Sequence, residues 1–299
     1  MIYPVEPDHQ SSGFGSSWDP IEHVKESVRV PFTGGQPEMV WQPNHGAPKL
    51  RLRFYWDTLN TQLRNYVGAQ ADWKEFHQRD AVDVVVIDGA SSGEHTVLVS
   101  AREDRLTKAV ILPALTALAT HQDPGATISA DALPEALEPD FYTWLLYKDK
   151  CAGGFLADGI VVTDIDEIES RDLQKRSGRF GSGAGADRVE LLALIAKNQM
   201  RFGPAKISVR YEREVEGDFD LHLFPDGGFS VFRTSEYKNH REVPAHILGH
   251  KLAEDVFELV LPAMRSIYLA DSAWPATERD AFIEQCKTEL DAITARGLP

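Results

Sequence analysis

Cysteine is nearly absent from this chain. Cys151 and Cys286 are the two in 299 residues, far apart and in no CxxC pair. No disulfide framework and no thiolate zinc site is encoded, and a reducing cytoplasm is the expected setting. Long apolar runs are missing as well. Nothing approaches the ~18 consecutive apolar residues of a membrane-spanning helix, and the first residues show no basic, apolar, small-residue export signal. Neither export nor membrane spanning is expected. Internal repeats and low-complexity tracts are absent, which argues against a solenoid. Net positive charge is lacking too: 31 Lys+Arg stand against 46 Asp+Glu, a formal charge of -15. Such a chain repels nucleic acid and anionic membranes unless its cations are gathered locally.

They are gathered. Between Arg171 and Arg213 ten basic residues meet four acidic ones, so that window is +6 and the rest of the chain carries -21. This asymmetry is the footprint of an anion-binding surface, with a solvated basic face as the plain alternative.

An apolar fraction of 42% over this length supports a packed core in one large domain or two ordinary ones. The pattern predicts an α+β protein in three parts. Residues 1–48 hold seven of the 17 prolines and five of the 22 glycines, in phrases such as SSGFGSS and QPNHGAP, and read as an extended arm. Its Tyr3, Trp18, Phe32 and Trp41 could dock on the body, a second copy or a partner. Residues 49–176 form an N-terminal α+β part. It has a strand at LRLRFYW, an amphipathic helix spaced Leu59, Leu63, Tyr66, Val67, Trp73, Phe76, and a hairpin of VDVVVID and HTVLVSA across GASSGE. A helix kinked at Pro113, a helix at DFYTWLLYKDK and a strand at GIVVTDID complete it. Residues 177–299 form the third part, set off by the Gly-rich RSGRFGSGAGA. Its elements are a helix capped by Asp187, a meander of KISVRYEREV, FDLHLF and FSVFRTSEY, a long helix meeting Pro262, and a last helix from about Pro275.

The hairpin GDFDLHLFPDGGFSVFRTSEYK carries the chemistry. Its Pro-Asp-Gly order predicts a type I turn closed by a left-handed Gly227, so that Phe224 opposes Gly228. Register then sorts the faces. Phe219, Leu221, Leu223, Phe229, Val231 and Tyr237 share an apolar face. Asp218, Asp220, His222, Thr234, Glu236 and Lys238 share a polar one, with Phe224 and Phe232 as apolar exceptions. Matching the apolar face of the preceding strand brings Glu212 and Glu214 to the polar side. Clustered carboxylates repel one another and call for water, Lys/Arg partners or a divalent cation.

Helix, three antiparallel strands, helix, with an Asp on the second strand and Glu-x-Lys ending the third, resembles the PD-(D/E)xK nuclease superfamily over about 187–269. The resemblance implies that Asp220 (or Asp218) and Glu236 hold Mg2+, that Lys238 is the catalytic lysine and that Glu190 is the helical acid. Arg176, Arg179, Arg188 and Arg210 in the basic window would then hold the phosphodiester backbone. The expected function is metal-dependent cleavage of nucleic acid. The alternative is a non-catalytic binding or assembly protein, with the arm docked on a partner and the Arg-rich segment on an acidic surface.

Four further motifs have plainer readings. GASSG places Ser91 as in a hydrolase nucleophile elbow, but a strand follows it rather than a helix. IVVTDIDEIE is similar to the first motif of haloacid-dehalogenase-type phosphatases through Asp164 and Asp166, or is a strand with acidic residues leaving it. GSGAG at 181–185 could cradle a phosphate or be a linker. His246 and His250, one helical turn apart, could share a metal or be a hydrated helix face.

Overall fold

The structure, a computed structural model, describes residues 12–15, 49–59, 77–88, 93–101, 106–129, 137–172, 177–181, 188–198, 200–238 and 245–297. The fold is α+β. The chain divides into two compact units, Met1–Ser129 and Ala130–Pro299, and each has its own antiparallel sheet.

The first unit orders its strands as β1 (Ser12–Gly15), β2 (Lys49–Leu59), β3 (His77–Asp88) and β4 (His95–Val99). The expected hairpin is β3–β4, paired from Val84↔Val99 to Asp88↔His95. One stretch of the expected extended arm lies on this sheet. Ser12–Gly15 form an edge strand on β2, from Ser12↔Trp56 to Gly15↔Arg53, because ladder hydrogen bonds are open to any extended backbone whatever its side chains. Helix α1 (Leu112–Gln122) follows a π turn at Thr107–Ile111. Ile111, Ala114 and Leu115 pack on Phe54, Trp56, Val82 and Val84. Leu59, the first residue of the expected helix, is instead the last of β2, and the rest of that helix, 60–76, lies outside the described residues, as does Ser91.

Among the described residues the second unit has seven strands: β5 (Phe155–Ala157), β6 (Ile160–Asp172), β7 (Ser177–Phe180), β8 (Met200–Glu212), β9 (Glu216–Leu223), β10 (Phe229–Val231) and β11 (Glu236–Tyr237). The path is β10-β9-β8-β6-β5, with β11 also on β9 and β7 also on β6. The boundary drawn between 176 and 177 falls inside this sheet. β6 pairs with β8 from Ile160↔Tyr211 to Asp172↔Met200, so GIVVTDID belongs with the meander. That pairing joins strands remote in sequence, and local composition carries no record of it.

Five helices cover one face: α2 (Pro139–Ala152), α3 (Val189–Lys197), α4 (Ala245–Asp255), α5 (Leu261–Ala270) and α6 (Arg279–Ala295). Arg188, in an extended conformation, stands at the N-cap of α3 in place of the expected Asp187, which is outside the described residues. Phe141, Trp144 and Leu145 of α2, Leu191, Leu192 and Ile195 of α3, and Phe282 of α6 meet Ile165, Val209, Leu221 and their neighbours in one core. Burial of each such side chain contributes about 1.5–3 kcal/mol. Several polar tips inside this layer have partners, although the buried Tyr142 hydroxyl has none among the described residues. The Trp274 indole donates to Asp140 at 2.7 Å, the Trp144 indole to Asp271 at 3.0 Å, and Arg279 reaches both Asp140 and Asn198.

The prolines inside helical sequence are met by a change of helix type. Leu112 N–H donates to Thr107 and Leu261 N–H to Val256, five residues back, just before Pro113 and Pro262. A proline ring crowds the carbonyl four residues earlier and offers no N–H, and the wider turn relieves both.

Helix α2 ends at Gly153 (φ 57) and Gly154 (φ 76), where the chain reverses into β5. A Cβ on Gly153 would meet nothing within 4 Å, whereas one on Gly154 would lie 1.8 Å from the Val162 carbonyl oxygen. Gly153→Ala therefore carries only the left-handed backbone cost, about 1–2 kcal/mol, and Gly154→Ala at least twice that. Chemical denaturation of the two variants checks the ranking, and equal losses would contradict it.

Candidate functional site

The turn that sets the hairpin forms as its residues dictate. Gly227 has φ 87, Phe224 N–H donates to Gly228 at 2.9 Å, and Gly227 N–H donates to Phe224 at 3.0 Å. The register follows: Phe229↔Leu223, Ser230↔His222, Val231↔Leu221. Beyond Val231 the third strand breaks. Phe232 N–H still reaches the Asp220 carbonyl at 2.9 Å, but Ser235 N–H turns back to Phe232 at 3.1 Å. The Ser235 hydroxyl fills the gap, accepting from Asp220 N–H at 2.9 Å and donating to the Asp220 carbonyl at 3.2 Å. Pairing resumes two residues out of step as Glu236↔Asp218 and Tyr237↔Gly217. An even slip keeps every side chain on its face. It also takes Thr234 off the ladder and sets Glu236 opposite Asp218.

The face away from the helices is a set of polar ranks. From one end they read Arg171 with Arg201; then Glu167, Lys206, His222 and Ser230; then Asp164, Ser208 and Asp220; then Arg210, Asp218 and Glu236; and last Glu212 with Glu216. Glu214, expected on this face, lies instead in the β8–β9 turn and accepts from the Tyr211 hydroxyl. Charge along the face is polarised. Arg171, Arg179, Arg201 and Lys206 crowd one end with Glu167 and Glu169. Asp164, Asp166, Glu212, Glu216, Asp218, Asp220 and Glu236 crowd the other with Arg210 and Lys238.

Most carboxylates predicted as metal ligands are already engaged. Asp218 accepts from Arg210 Nε at 3.1 Å, and Asp220 accepts from the Ser208 hydroxyl at 2.5 Å. Lys238 is paired with Glu212 and holds that carboxyl below its ordinary value. Glu236 and Lys238 are exposed. Glu190 sits on α3, whose Leu191, Leu192 and Ile195 enter the core on the helical side, so the sheet separates it from Asp218 and Glu236. Its cationic neighbour is Arg188, at 3.7 Å. Among the described residues no three His, Cys, Asp or Glu side chains come together in a way that could hold a metal ion. The donor set at Asp218 and Glu236 is poor for Mg2+, which takes near-octahedral oxygen coordination, since it offers two carboxylates and one of them already accepts from Arg210.

The predicted phosphate-binding arginines are scattered. Arg179 is at the basic end, Arg210 at the acidic end, and Arg188 donates to the Gly181 carbonyl at 2.6 Å. Arg176 lies outside the described residues, as do 182–187 of the Gly-rich stretch and the side chains of His246 and His250. Asp164 and Asp166 are exposed in the middle of β6, a central antiparallel strand, and not at a strand end.

Two further features stand out. Glu167 is only 7% exposed on an otherwise wet face, with Arg179 at 2.7 Å and Lys206 at 3.1 Å. The other is a pair of exposed aromatic rings: Phe232, 37% exposed with Lys206 Nζ 5.7 Å from its ring centre, and Phe155, 49% exposed opposite Val161. Phe232 had the signal of breaking polar alternation. Glu167 had none, since the cations that cover it come from β7 and β8.

No family model matches the chain, and no curated protein and no solved structure matches it.

The Arg179 hydrogen bond, with Lys206 behind it, holds the Glu167 carboxyl below its usual range against the opposing effect of burial. A carboxylate with a depressed folded pKa stabilises above its unfolded value, about 4.3, and that contribution fades as pH falls through the lower folded value. Glu167→Gln should therefore be less stable than wild type at pH 7, with the gap closing below pH ~4. Melting curves across that range check it. A gap independent of pH would assign the loss to packing instead.

Proposed function

We propose that this chain is a non-catalytic binding protein that holds an anionic partner on the basic end of the outer face of its second sheet. One observation carries the reading. The cations of that end face solvent on a rigid sheet, while Asp218 and Asp220 are held by Arg210 and Ser208 and the Lys238 ammonium is taken up by Glu212. Side chains rooted in a hydrogen-bonded ladder are held in place before a partner arrives, which lowers the entropy cost of association. The acidic end then acts as a boundary, since its carboxylates repel any polyanion that extends toward it.

Arg171 and Arg201 are Cα partners across β6 and β8, both exposed. Like charges directly opposite cost some tenths of a kcal/mol to about 1 kcal/mol in the free protein. A bound anion turns that repulsion into a two-pronged contact.

The experiment is retention on heparin, followed by incubation with nucleic acid and Mg2+ or Mn2+. Wild type should be retained at ~50 mM salt and released toward ~200 mM, despite its net charge of -15. Arg171→Ser with Arg201→Ser should elute markedly earlier, and no substrate should be cut. Unchanged retention in the double variant would contradict the reading. Mg2+-dependent cleavage abolished by Glu236→Ala would favour the hydrolytic alternative through Asp218, Glu236 and Lys238.

A further inference from the structure

Resting on that reading, we infer that the anionic partner is a single strand of nucleic acid, with its phosphates at Arg171, Arg179, Arg201 and Lys206 and an unpaired base stacked on Phe232. Three observations converge on the basic end. Among the described residues neither Arg171 nor Arg201 has an acidic partner, although they stand directly opposite one another. Arg179 and Lys206 share Glu167, which takes one N–H from the guanidinium and leaves its other donors available. The third is aromatic. Phe232 projects at the point where β10 ends, with the Lys206 ammonium beside its ring, and Phe224 packs with the His222 ring at 4.3 Å in the neighbouring rank.

Cations with exposed aromatic rings on a flat support are what an unpaired strand needs. Each base offers a π face to stack, and each phosphate a charge to neutralise. A duplex hides its base faces in its own stack, so to this surface it presents phosphates alone. A purely electrostatic surface would have no use for an exposed Phe232, which costs apolar hydration in the free protein. The span suits a short segment. From β7 through β6, β8 and β9 to β10 there are four interstrand gaps, about 19 Å at ~4.8 Å each, and the acidic ranks from Asp164 and Asp220 onward close the far side. The strand therefore runs obliquely across the β-strands, from Arg171 and Arg201 toward Lys206 and Phe232 at the edge of the acidic ranks.

The test is fluorescence anisotropy with labelled 20-nucleotide oligothymidylate and oligouridylate, a duplex of the same length, and heparin as competitor. Single strands should bind more tightly than duplex at equal salt. Phe232→Ala should weaken single-strand binding roughly 5- to 150-fold, the worth of one stacked base, and leave duplex and heparin binding unchanged. The slope of log K against log salt should be about -3 for four neutralised phosphates, and shallower by about 0.7 for each of Arg171→Ser and Arg201→Ser. Phe232 and both arginines are exposed, so the variants keep their core, which melting curves verify. If Phe232→Ala binds single strands like wild type, or duplex binds equally well, the nucleic-acid inference is overturned. Heparin retention that still depends on the arginines would then leave the binding surface standing with another polyanion, such as an acidic protein surface, as its partner. Failure to bind any probe, heparin included, overturns both.

Discussion

The second unit depends on one constraint, the strict two-residue alternation of the β8–β9 ladder. Eight successive pairs from Ala205↔Leu223 to Glu212↔Glu216 run without a break. Every odd residue of this stretch turns to the helices and every even one to the opposite side. Ile207, Val209, Tyr211, Phe219 and Leu221 thereby become the floor of the core, while Lys206, Ser208, Arg210, Asp218 and Asp220 become the outer face. A shift by one residue would bury five polar side chains and expose five apolar ones. At about 1.5–3 kcal/mol for each large apolar side chain alone, that is comparable to the whole stability of an ordinary domain. The ladder is thus the least negotiable part of the unit, and the polar ranks inherit its rigidity.

Irregularities elsewhere respect this frame. β6 fits the same sheet with register shifts near Thr163 and Asp166, and a further one where β8 passes Gly203. The shifts let two residues of β6 share the outer side, which is how Glu167 comes to sit between Arg179 and Lys206 instead of pointing inward. The turn at 232–235 does similar work on β9's other edge. It interrupts a strand that would otherwise extend the sheet, and short broken edges deny neighbouring chains a template for pairing. Its by-product is an exposed Phe232 fixed beside Lys206.

Local features were legible in the sequence, and long-range ones were not. The FPDGG turn, the sorting of Leu221, Leu223, Phe229 and Val231 to one face, and the exceptional position of Phe232 all followed from a turn type and a period of two. The break after Val231 did not, because Ser235 ties back to Asp220 through a hydroxyl contact that no propensity describes. The partners of Asp218 and Glu212 were invisible for a related reason. Arg210 reaches Asp218 across the ladder, and Lys238 reaches Glu212 from a strand that shares no edge with β8. A Glu-x-Lys motif reads the same whether its lysine faces a substrate or a neighbouring acid. Only the sheet order, with β9 between β8 and β11, distinguishes the two.

The central claim is that the outer face meets a partner while the helical face is purely structural. Photocrosslinking a single-stranded oligothymidylate to the full chain and mapping the modified peptides tests it most directly. The account predicts adducts in the segments carrying Arg201 to Arg210 and Phe229 to Lys238, on the outer ranks. Adducts concentrated on α2, α3 or α6, the elements whose apolar sides fill the core, would contradict it.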